Sequence, residues 1–265
     1  MRACSNIRNS GEGFCAKNFL FGFIFNMRPI TYDEIISLRT AKQNFRDCYL
    51  VSSINALTRT ENGRKILSKN IQKDGENFCI KFNDVNGQSE TYLVKQAECD
   101  ELILMNKYLE PVPLKVPNHP IIKAIEVAMN KLLTLHPDKK PFLCKIPDCQ
   151  QKFEFNKVSN FLKMFTGVRP YTLNESGFKM TLRENEQIAR RMFSEIENRG
   201  GSFVMGTGYH LNPLEDLPHC LTVAGIEENK VNLYDCRRQI HISRSEENTT
   251  KSVKYLCGYF NEMLE

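Results

Sequence analysis

The sequence predicts an α+β protein in which a helix-rich first lobe precedes a β-rich second lobe, the two sharing one cleft. Three observations carry this expectation. Apolar residues recur at helical spacing in several stretches up to Ile196. The segment Arg199-Gly200-Gly201-Ser202 then stops the last of these helices. Beyond it, apolar residues gather in short β-prone runs parted by turn residues. A chain of 265 residues has room for two lobes, because single domains usually run to about 100–200 residues. The lobes are expected at 28–178 and 179–265, behind an N-terminal extension of residues 1–27.

Each element has its own warrant. Thr31 with Glu34 three residues on forms a capping-box pattern ahead of Ile35, Ile36 and Leu38, which predicts a short helix. Asp47 is a good N-cap for a second helix, in which Val51, Ile54, Leu57 and Thr58 recur at the period of a buried face. Phe78–Phe82 and Thr91–Val94, with an Asn86-Gly87 turn signal between them, predict a hairpin. The run Lys107–Pro120 holds four prolines and is expected to be a wrapped loop. Helical spacing returns at Ile121–Leu135, Lys157–Phe165 and Glu184–Ile196. Three strands are then expected, Phe203–Gly208, Leu221–Ile226 and Val231–Asp235, the last two joined tightly through Glu227-Glu228-Asn229-Lys230.

Composition excludes several classes of function. A formal net charge of +5 comes from charges of both signs scattered along the chain, so no nucleic-acid partner is inferred; the surplus bears on encounter with acidic surfaces and not on chemistry. The longest apolar run is Phe19–Phe25. It is too short to span a membrane, and no small-x-small cleavage site follows it, so neither a membrane span nor a signal peptide is expected. The ten cysteines show no compact repeated spacing, which points to the cytoplasm or another reducing compartment. Cys144, Cys149, Phe153 and the segment Thr166–Tyr171 imitate parts of a zinc finger. The ligand arithmetic fails, because no His follows Cys149 until His210, and neither a metal nor any other cofactor is expected. His210 is the one rival base near the β-rich lobe, and His119 and His241 are expected at the surface.

The chemistry centres on Cys48. A thiol directly after a helix cap meets unpaired backbone N–H groups and the positive end of the helix dipole, both of which favour the thiolate. Acyl transfer further needs a base and a group to orient it. His219 opens one strand and Asp235 ends the antiparallel strand that returns beside it, so the two can meet at the sheet edge. Taken singly, each has a plain structural explanation: a buried small thiol, a strand histidine, a strand-ending acid.

Together they resemble something more specific. Asp47-Cys48-Tyr49-Leu50 is similar to the D-C-(W/Y)-L nucleophile motif of the calpain family of cysteine proteases, including bacterial members with Tyr after the Cys. The hairpin near 78–94, the helix at 121–135, the Thr166-Gly167-Val168 turn and the His-led strand follow in that family's order. The resemblance implies a papain-like fold and a thioester mechanism on protein substrates, with Cys48 as nucleophile, His219 as base and Asp235 orienting it. It also implies an oxyanion donor, a Gln six residues before the Cys; Gln43 lies five before Cys48 and is the residue matched. Asp235 stands where calpains carry Asn, and the Pro-Trp that follows it there is replaced by Cys236-Arg237. No calcium site carries over. Deamidation or transamidation on the same triad, or a catalytically silent protein-binding module, are the alternatives, and a role as a bacterial effector in a host cell comes with the resemblance alone.

Overall fold

The computed structural model describes residues 26–43, 47–83, 88–102, 104–105, 111–112, 119–136, 157–173, 182–207 and 219–264. After a short strand β1 (Arg28–Pro29), the expected capping box closes. The Thr31 hydroxyl accepts from the Glu34 N–H at 3.3 Å and the Glu34 carboxylate accepts from the Thr31 N–H at 2.7 Å, which starts α1 (Tyr32–Ser37) and a 3-10 turn over Leu38–Thr40. Helix α2 (Cys48–Leu57) is followed by α3 (Glu61–Asn70), capped by the Thr60 hydroxyl, and by strand β2 (Ile71–Asp74).

The expected hairpin is present as β3 (Asn77–Asn83) and β4 (Ser89–Val94), paired from Phe78↔Val94 to Asn83↔Ser89. Its Asn-Gly turn lies outside the described residues. With β1 and β2 it makes a four-stranded antiparallel sheet in the order β1-β2-β3-β4. Helix α4 (Gln96–Asp100) comes next. The proline-rich stretch differs from a plain loop, because β5 (Leu104–Met105) and β6 (Pro111–Val112) pair across its mouth; a two-residue strand can hold Pro111, since it has no continuous ladder to interrupt.

Helix α5 (Pro120–Leu135) begins on a proline, which suits the first helical position. Its cap refines one expectation: His119 is partly buried and engaged on both ring nitrogens. Its Nδ1 accepts the Ile121 N–H at 3.2 Å and its Nε2 hydrogen-bonds Ser37 Oγ at 2.8 Å, and burial pushes its pKa down to about 4. His241 is exposed. Helix α6 (Val158–Thr166) ends on Gly167 at φ 78 before strand β7 (Tyr171–Leu173). Helix α7 (Leu182–Arg199) ends at Gly200, whose φ of 68 is open to glycine at no steric cost.

The second half contains more strand than the sequence suggested. The expected β8 (Gly201–Thr207), β9 (His219–Glu227) and β10 (Lys230–Asp235) are present, with Glu228 and Asn229 both at positive φ in the tight turn. They are joined by β11 (Ile240–Ser245) and, after α8 (Glu246–Thr250), by β12 (Val253–Phe260). The antiparallel sheet runs β11-β10-β9-β8-β12-β7.

Alternation along these strands divides the core in two. Val204, Cys220, Tyr234, Cys257 and Tyr259 belong to a cluster shared with α2, α5 and α6. Phe203, Met205, Leu221, Val223 and Leu256 form another with Phe193 and Ile196 of α7. Helix α2 therefore lies between the large sheet and α6, and every residue from Tyr49 to Leu57 is buried, not the single face its periodicity indicated. The result is a mixed α+β architecture with antiparallel sheets, in which one core cluster crosses the expected lobe boundary at 178.

Candidate active site

Cys48 is the first residue of α2 and is half-buried. Asp47 occupies the N-cap position with φ −122 and ψ 28, but makes no side-chain cap bond; only its carbonyl caps the turn, accepting from Leu50 N–H at 2.8 Å and Val51 N–H at 3.2 Å. That corrects the cap reading of Asp47. It also means that the first amides of α2 are not occupied by that cap bond, which suits an anion at Cys48.

Strands β9 and β10 bring His219 and Asp235 together as expected. His219 Nε2 lies 2.9 Å from Asp235 Oδ1. The same oxygen accepts the Arg237 and Arg238 N–H groups at 2.9 and 3.2 Å, so the carboxylate is fixed by its own turn before it orients the ring. Cys48 hydrogen-bonds the same His219 side chain.

The electrostatics form a pair. Hydrogen bonding from Cys220, then from His219 together with the charge of that ring, outweighs burial and takes the Cys48 thiol well below its ordinary range. Burial alone would lower the His219 pKa, but its bonds to Asp235 and Cys48 and their charges raise it to about 9. Burial opposes the charge on Asp235, yet the His219 bond and charge and the two backbone N–H groups hold its pKa low. All three shifts run in one direction, toward a thiolate, an imidazolium and a carboxylate.

Gln43 is drawn to the end of β10. Its backbone N–H donates to Cys236 O at 3.0 Å, and the Cys236 thiol donates to Gln43 Oε1 at 3.9 Å. Residues 44–46, between Gln43 and the helix, lie outside the described residues.

Sequence reasoning missed the surrounding thiols. Cys220 follows His219 and Cys236 follows Asp235, each buried, and neither is in a disulfide. Ser52, one turn into α2, donates to Cys220 O at 3.0 Å and lies 3.5 Å from Cys236 Sγ, while the Thr222 hydroxyl donates to Ser52 O at 3.0 Å. The signal was in plain sight: Asp47-Cys48, His219-Cys220 and Asp235-Cys236 each put a cysteine directly after a polar site residue.

Cys144, Cys149 and Phe153 of the finger-like segment and the rival base His210 lie outside the described residues. Among the described residues, no group of three or more His, Cys, Asp or Glu side chains is arranged to hold a metal ion, and no helix is long and apolar enough to cross a membrane. A scan against models of known protein families and a search of curated proteins both return no match.

Proposed function

We propose that this chain is a cysteine hydrolase of papain-like, two-lobed build, resembling the calpain core and acting on protein substrates. The observation that carries the reading is the hydrogen-bonded line Asp235–His219–Cys48 at the start of a fully enclosed helix. The Cys48 thiolate attacks a substrate carbonyl carbon, forming a C–S bond and placing negative charge on the oxygen. The His219 imidazolium then gives its proton to the leaving amine as the C–N bond breaks, leaving a thioester. Water attacks next, with His219 taking its proton; the C–S bond breaks and a carboxylic acid product and the thiolate are released.

Donors for the oxyanion are the Cys48 backbone N–H and the Gln43 amide. The Cys236 thiol takes up Oε1 of that amide, so the NH2 group is the end left to donate. An amine in place of water gives transamidation, and a Gln side chain as substrate gives deamidation, on the same residues.

The test is labelling with an epoxide or vinyl sulfone cysteine-hydrolase probe, with adducts located by mass spectrometry. An adduct at Cys48, absent in Cys48→Ala and slowed at least about tenfold in His219→Ala, is expected. Even labelling across the accessible cysteines overturns the reading in favour of a cleft that binds without turnover.

A further inference from the structure

Cys220 occupies a place that the triad alone does not explain. Three strands align one residue each in a single row of the large sheet: Tyr255 of β12 pairs with Gly206 of β8, which pairs with Cys220 of β9. The middle position must be glycine for the row to close, because a Cβ on Gly206 would fall 1.9 Å from the Tyr255 ring. The ring therefore lies across β8, and its hydroxyl reaches Cys220 Sγ at 2.7 Å. Cys220 is only 6% exposed and is anchored to α2 through Ser52, whose hydroxyl donates to its carbonyl at 3.0 Å. On its other side its thiol hydrogen-bonds the Cys48 side chain.

Two neighbouring thiols that share a hydrogen bond do not ionise together. The environment decides which keeps the proton. Cys48 faces the His219 ring, whereas Cys220 faces a neutral phenol in the core. Among the described residues, the remaining titratable groups around the pair are Asp47 at the start of α2, Asp235 at the end of β10, Cys236 directly after it, and Cys257 on β12. Of all these only His219 carries positive charge, and it stands against Cys48.

We propose that Cys220 is a positioning residue: the Tyr255 hydroxyl donates to Cys220 Sγ, and the Cys220 S–H donates to the Cys48 sulfur, holding it as a thiolate in a fixed direction. The inference rests on the reading of Cys48 as nucleophile and deepens it. No bond is made or broken and Cys220 stays protonated; it is a hydrogen-bond donor of the kind that stabilises an anion more than its conjugate acid.

The experiment is the pH dependence of iodoacetamide alkylation at Cys48, followed by mass spectrometry without any substrate, in wild type, Cys220→Ala, Cys220→Ser and Tyr255→Phe. Cys220→Ala is expected to move the midpoint of the alkylation–pH curve about one pKa unit upward, which is about tenfold slower alkylation at any pH below both midpoints. Cys220→Ser, which keeps a donor, should restore most of the rate, and Tyr255→Phe should fall between. A Cys220→Ala curve that superimposes on wild type overturns the inference, as does a Cys220→Ser curve as low as that of Cys220→Ala. Should Cys220→Ala fail to fold, the serine and phenylalanine variants decide: a Tyr255→Phe curve identical to wild type, or a Cys220→Ser rate reduced tenfold, overturns it. A wild-type Cys48 that alkylates like an ordinary thiol removes the hydrolase reading itself, which separates the two failures.

Discussion

Cys48 and His219 exchange a proton on folding, and the sign of the consequence follows from their two shifts. The raised pKa of His219 stabilises the fold fully below its ordinary 6.5, and that contribution is lost as pH rises through about 9. The lowered pKa of Cys48 does the reverse, contributing above its ordinary 9.0 and losing effect as pH falls through the folded value. Where the two shifts overlap, below about 9, the folded pair holds its proton on His219 and the unfolded pair holds it on Cys48, so the two slopes oppose each other. Cys48→Ala leaves the His219 half with Asp235 alone to oppose burial, so its pKa is raised less. Its melting temperature is expected to fall as pH rises above about 6.5, over a range that ends below 9, while the wild-type curve lacks that fall; parallel curves for the two proteins would contradict the assignment. Cys48, His219 and Asp235 were legible in the sequence because each sits beside a local signal: a cap, a strand start, a strand end. The roles of Cys220 and Tyr255 were not, because 35 residues of chain separate a contact of 2.7 Å, and no local pattern records which strands will be neighbours.

At the scale of elements, the row Tyr255–Gly206–Cys220 makes one glycine structural for reasons of space. Gly206→Ala must push the Tyr255 ring off β8 or part the strands, and overpacking of this kind costs about 1–3 kcal/mol. Urea unfolding should show that loss, accompanied by a slower reaction of Cys48 with iodoacetamide; a stability change below about 0.5 kcal/mol would mean the ring has room elsewhere. Helices α1, α2, α5, α6 and α7 were readable to within a few residues, two of them because their stops are chemical, at Gly167 and Gly200 with φ of 78 and 68; α3, α4 and α8 were not read. Strands β7, β11 and β12 were not read. β11 is an edge strand of alternating apolar and polar residues, Ile240 to Ser245, with little burial to mark it. β12 is nearly all buried, yet it inserts between β8 and β7, a placement decided by packing far along the chain and not by its own composition.

For the whole molecule, the two expected lobes are less separate than the sequence implied, since one core cluster contains Leu50, Ile125 and Phe161 together with Val204, Tyr234 and Tyr259. Gln43 and Gln239 add polar stitches between the segment before α2 and the turn after β10, at 3.0 Å to Cys236 O and 3.0 Å to Thr40 O. Nothing in local periodicity distinguishes a helix buried on one face from one enclosed on all sides, so the central position of α2 emerged only from the assembled sheets. That enclosure has a consequence for the exchange of amide protons with solvent. Residues Leu50 to Leu57 have no side open to water, so local fraying gives deuterium no route to their N–H groups, and exchange there waits for opening of the core cluster that encloses the helix. Their protection should be the highest in the chain and should track global stability measured by denaturant. The helix that presents the candidate nucleophile is then also the slowest clock in the protein, and uptake along it that outpaces global unfolding would show that α2 can be uncovered one lobe at a time.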